Sequence, residues 1–171
     1  MELLMGVPQH HREIFEHVDS YLSKRFPHGI ESLMVSLPSN IEEIKDKFPI
    51  FKLEDNFPYK LAKMYEKKGT RIIPGCGPIR SNPFDSILSS VLWYLSDTYV
   101  THLTGERHLN TINNQDPQVV VVGVQQANYI KRNLPKVEYV VMHIAPRTFP
   151  EMIGQVVVNP FKPTQIITLK Q

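Results

Sequence analysis

The sequence predicts an α/β fold: three α/β/α layers around a central, mostly parallel sheet of four to five strands. Three observations predict it. Residues 118–122 are Gln followed by four valines and end at Gly123, and a continuous β-branched run of this kind reads as a strand buried on both faces. A helix-patterned stretch through Ile130 follows, and residues 138–142 form a second buried apolar run, so strand, helix and strand alternate as in a parallel sheet. In such sheets ligands sit beyond the carboxyl ends of the strands, where Gly75, His102, Gly123 and His143 all fall in this reading.

Composition sets the frame. A chain of 171 residues with 42% hydrophobic and 21% charged residues matches one globular domain, 1–171. No stretch approaches the roughly 20 apolar residues of a membrane span, and Met1-Glu2 is not the basic start of a secretory leader. A cytoplasmic, monomeric protein is expected, nucleoid-associated if bacterial. Cys76 is the single cysteine, which excludes an internal disulfide, a four-cysteine zinc site or an iron-sulfur cluster supplied by this chain alone. The seven histidines show no dependable ligand spacing, so neither metal nor cofactor is expected. A net charge of +2 leaves the partner open, because a nucleic-acid face needs only local basic residues.

Along residues 8–25, Ile14, Val18, Tyr21 and Leu22 recur at helical spacing, and Pro27 and Gly29 close the helix. Residues 33–37 are a short apolar run. Ser39 followed by Glu42 has the form of a capping box opening a helix with Ile41, Ile44 and Phe48 inward. A further helix begins near Asn56, with Pro58 in its first turn, where a missing N–H costs nothing. It carries Leu61, Met64 and Tyr65 to the core, and Lys67, Lys68 and Gly69 suit its end. Residues 71–73 read as a strand, 75–84 as a Gly- and Pro-dense loop, 86–95 as a helix and 99–103 as another strand. This divides the domain into a divergent, helical part (1–69) and a motif-bearing part (70–150).

Within the second part, four motifs occur in order. They are Gly75-Cys76-Gly77-Pro78 with Asn82-Pro83-Phe84 after it, Tyr99-Val100-Thr101-His102-Leu103, the segment from Asp116-Pro117 to Gly123, and His143-Ile144-Ala145-Pro146. Their order and spacing resemble the uracil-DNA glycosylase superfamily, especially its small bacterial and archaeal branches. The resemblance implies an enzyme, a DNA N-glycosylase. It would flip a base from the duplex, stack it, and stabilise an oxocarbenium-like sugar while the base leaves as an anion. Cys76 stands where those branches carry an acidic or amide residue, and His102 where they carry the Asn that reads the base. The substrate implied is therefore a modified pyrimidine, such as a hypermodified viral base removed in antiviral defence, with an abasic site as product.

The resemblance assigns catalysis to His143, donating to the departing base oxygen, and to Asp85 and Asn82, positioning water or stabilising the sugar cation. Asp85 equally suits the N-cap of the helix after it. Gly75, Cys76, Gly77, Pro78, Phe84 and His102 would line the base pocket, with Phe84 as the stacking face and Cys76 as lining only. Phe84 also reads as a core residue, and His102 as a structural one. Arg80 and Arg147, with Ser81 and Pro146, would meet the DNA backbone and groove. Two other readings stay open. One is a catalytically inactive DNA-binding module on the same fold; the other is a nucleotide-processing α/β enzyme.

Overall fold

The computed structural model describes residues 1–8, 14–44, 56–78, 97–144 and 163–169, with the side chains of 44, 97–103 and 143–144 outside the description. Six strands, β1 (Leu3–Val7), β2 (Ser32–Pro38), β3 (Arg71–Cys76), β4 (Val119–Gly123), β5 (Glu138–Ile144) and β6 (Gln165–Leu169), form one sheet in the order β3-β2-β4-β1-β5-β6. Every pairing is parallel. Among the described residues the helices are α1 (Ile14–Arg25), α2 (Ile41–Ile44), α3 (Phe57–Lys67), α4 (Asp97–Gln115) and α5 (Val124–Asn133).

Period-two alternation sorts the sheet's side chains into two cores. Leu3, Met5 and Val7 of β1, Val119 and Val121 of β4, and Val140 and Met142 of β5 pack with Val18 and Leu22 of α1 and Leu61 and Tyr65 of α3. The intervening residues Leu4, Val120, Val122, Tyr139 and Val141 pack with Ile112 of α4 and Ala127 and Ile130 of α5. Helices therefore cover both faces, and the strands between them have to be apolar throughout. That is why β4 is valine in four consecutive positions and fully buried in each.

The α/β class is the one the sequence predicts, but among the described residues the sheet has six strands where four to five are expected. β1 and β6 lie in stretches to which the sequence reading assigns no strand. β1 lies between β4 and β5, the most enclosed position available, inside a part expected to be helical. It pairs on both sides, and Gly6 fits closely there: a Cβ would stand 3.0 Å from the Tyr139 hydroxyl and 3.1 Å from the Ala127 Cβ, so both neighbours would have to give by a few tenths of an ångström.

A second correction concerns residues 99–103. They read as a strand through Tyr99, Val100 and Thr101, yet they lie within the 19-residue helix α4. The preference of β-branched and aromatic residues for strands is weak, and the packing of the rest of the helix overrides it. A helix does open where Ser39 and Glu42 indicate, as α2, and residues 45–55, with Phe48, lie outside the described residues. Ser39 N–H donates to the Cys76 carbonyl at 3.1 Å, and the Glu42 carboxylate meets Lys63 at 2.7 Å.

Local signals fare better at α3. The Asn56 side chain accepts from Tyr59 N–H, and Pro58 occupies the first turn. At the other end Gly69 takes φ +86°, its N–H donating to Glu66 and that of Thr70 to Tyr65. This is the left-handed stop that glycine makes without steric cost. Within residues 8–25 the described stretch Ile14–Arg25 is helical, and the helix expected after the valine strand is α5, Val124–Asn133.

Candidate functional site

The carboxyl ends of β2 and β3 carry a polar cluster. Between Val35↔Pro74 and Pro38↔Cys76 the ladder takes three steps on β2 and two on β3, so β2 bulges at Ser36 and Leu37. A bulge redirects a side chain at a sheet end. Here Ser36 Oγ comes within 3.3 Å of His108 Nε2 on α4, and Cys76 Sγ approaches the same nitrogen at 3.8 Å. His108 is fully buried. Gly75 makes its seat, because a Cβ there would fall 2.6 Å from His108 Cδ2 and 2.9 Å from Nε2.

Burial without a counter-charge sets the protonation of the pair. Loss of solvent lowers the His108 pKa to about 4, with the Thr104 backbone one turn earlier acting weakly in the opposite direction. Nδ1 has no aligned partner among the described residues. Desolvation likewise raises the Cys76 thiol to about 11, the Arg107 guanidinium offsetting part of that. At neutral pH the site therefore holds a neutral imidazole and a neutral thiol. This differs from the thiolate–imidazolium pair of an activated nucleophile.

A cleft of about 420 Å³ lies in front of Cys76, between β3 and α4, and reaches from Ser39 and Gly77 at one end to Arg71 and Gln115 at the other. α4 runs antiparallel to β3, since Cys76 meets His108 while Arg71 donates to the Gln115 carbonyl at 3.0 Å. Thr111, Asn114 and Gln115 supply the polar groups of the helical wall, and among the described residues no carboxylate lines the cleft. β3 is an edge strand, and Pro74 in its middle removes a backbone donor.

The expected site residues distribute as follows. Gly75, Cys76, Gly77 and Pro78 lie at the end of β3, with Cys76 and Gly77 on the cleft. Arg80, Ser81, Asn82, Phe84, Asp85, the helix 86–95, Pro146 and Arg147 lie outside the described residues. His102 belongs to α4, six residues before His108, so its backbone sits roughly 9 Å farther along the helix at 1.5 Å per residue. His143 is near the end of β5. Three strands, β2, β4 and β1, separate β5 from β3, which at roughly 4.8 Å per spacing puts the two strand ends about 19 Å apart.

Sequence reasoning missed Ser36 and His108. The signal was available only if 97–115 was taken as helical: His108 and Ile112 then fall at i and i+4 on the face that meets the sheet, with Gly105 one turn earlier against Tyr129 of α5, and all three are buried. Among the described residues no group of three or more His, Cys, Asp or Glu gathers as a metal site, and no helix is long and apolar enough to cross a membrane. No family model, curated protein or solved structure matches the chain.

Proposed function

We propose that this chain is a ligand-binding α/β domain whose cleft along β3 takes a small polar molecule on the scale of a nucleoside or nucleotide. The observation that carries the reading is the meeting of that cleft with the Ser36–His108–Cys76 cluster at the carboxyl ends of two parallel strands. Doubly wound sheets bind ligands at this edge, and a volume of about 420 Å³ falls in the roughly 300–1,000 Å³ range of small-molecule sites. Among the described residues the lining holds hydroxyl and amide groups with the Arg71 guanidinium and no carboxylate, which favours a neutral or anionic ligand. A peptide adding as a strand is disfavoured, since Pro74 interrupts the donors along the β3 edge.

Base excision from DNA draws less support. It needs the Gly75–Pro78 turn and His143 at one cavity mouth, and their strands are separated by three others. Amide resonances separate the readings. Titration with uridine and with uridine monophosphate should move the signals of Cys76, Gly77 and Asn114 in a saturable way. The cleft reading fails if those amides stay still while other ligand-induced shifts appear. Release of a base from a uracil-containing or modified-pyrimidine duplex would favour the glycosylase in its place.

A further inference from the structure

Behind the cleft wall, two side chains compete for one atom. A neutral imidazole offers a single lone pair at Nε2, yet Ser36 Oγ and Cys76 Sγ both stand against it, at 3.3 and 3.8 Å. One hydrogen bond satisfies one of them. The geometry also fits a shared ion. A sulfur and an imidazole nitrogen bound to one ion at about 2.3 and 2.0 Å stand about 3.5 Å apart at a tetrahedral angle and about 4.3 Å apart in a line. The observed 3.8 Å lies between these limits. His108 is held for such a role, with its ring fixed under Gly75 and its Nδ1 edge turned to the helix backbone near Thr104, so that Nε2 faces the sulfur.

Charge selects the ion. Among the described residues two strong donors meet here, fewer than the three or four ligands of a zinc centre. A divalent ion on one thiolate would leave a buried positive charge, and the charge that acts on the thiol is the cation of Arg107. A monovalent ion on a thiolate is neutral as a unit and avoids that penalty. Soft sulfur with imidazole is the donor set that thiophilic copper(I) prefers.

We propose that Cys76 and His108 together bind one monovalent, thiophilic ion of the copper(I) class, with Ser36 Oγ beside it. In the binding step the thiol S–H bond breaks, its proton leaves to solvent, and a sulfur–metal bond forms while Nε2 donates its lone pair. No electron is transferred, and one proton is released per ion.

Silver(I) shares the charge and softness without redox chemistry, so silver nitrate in chloride-free buffer is the probe, added to the intact protein. One equivalent should bind, releasing one proton as read by calorimetry in two buffers of different ionisation enthalpy. The His108 Nε2 nitrogen resonance should shift on binding, and Cys76→Ser should abolish the site. Since Cys76 is the sole cysteine, the thiol signal has one source. Loss of a partner in the shell around a metal already costs about 10–100-fold in affinity, and His108→Gln should cost at least that. Silver bound with the His108 nitrogen unmoved in the wild-type protein would overturn the proposal, whatever the variants do. So would undiminished affinity in a folded His108→Gln variant, or zinc binding more tightly than silver.

Discussion

Gly75→Ala tests whether the polar cluster is built as described. The added methyl would stand 2.6 Å from His108 Cδ2, 2.9 Å from Nε2 and 2.9 Å from Met34 Cε. The methionine terminus can swing away at small cost. The imidazole cannot, being fully buried and held against Ser36 and Cys76. Overpacking of this kind costs about 1–3 kcal/mol, and displacing the ring adds about 1 kcal/mol for the Ser36 contact, so a total near 2–4 kcal/mol is expected. In a domain of this length that is a fall in Tm of roughly 4–16 °C. Urea unfolding of the wild type, Gly75→Ala, His108→Ala and the double variant isolates the cause, because removing the ring removes the clash. A coupling of about 1 kcal/mol or more between the two positions is expected. Additive losses, or a Gly75→Ala protein as stable as the wild type, would refute the placement of His108 beneath Gly75.

Other outcomes follow from the same structure. The His108 pKa lies near 4, below its ordinary 6.5. The unfolded chain therefore holds more protons between those values, and stability should rise with pH across that window by up to a few kcal/mol; His108→Gln should flatten that part of the urea-midpoint profile. With its pKa raised from 9.0 to about 11, the Cys76 thiol should react with iodoacetamide about 100-fold more slowly at neutral pH than a free cysteine, a difference that urea should abolish. Gly105→Ala would drive a Cβ to 2.6 Å from Tyr129 Cγ at the contact of α4 with α5, and a loss of about 1–3 kcal/mol on chemical unfolding is expected. Tyr139→Phe deletes the 2.6 Å hydrogen bond from the buried Tyr139 hydroxyl to Asn128 Oδ1, which should cost about 1–3 kcal/mol by the same measurement. Arg25→Ala, which breaks only an exposed pair with Glu138, is the control and should change stability by less than about 1 kcal/mol.

Elements whose cause is local were legible in the sequence. The valine run of β4, the Asn56 cap with Pro58 after it, and the Gly69 stop each rest on a residue's own torsions and on neighbours a turn away, and each lies where its residues indicate. Cys76 and Gly77 border the cleft, which depends on α4 as much as on their own strand. Tertiary structure decided the rest. Leu3–Val7 carries a glycine and no alternation between apolar and polar residues, and it is a central strand only because β4 and β5, more than a hundred residues later, pair with both its edges. Residues 99–103 have strand-like composition, and their helix continues one that packs His108 and Ile112 against the sheet and Gly105 against α5. Strand order is invisible to local pattern, since loops and helices of similar length can carry a chain to either side of its starting strand. That order alone sets the ends of β3 and β5 four spacings apart and brings Ser36, Cys76 and His108, three residues from three separate elements, to a single point.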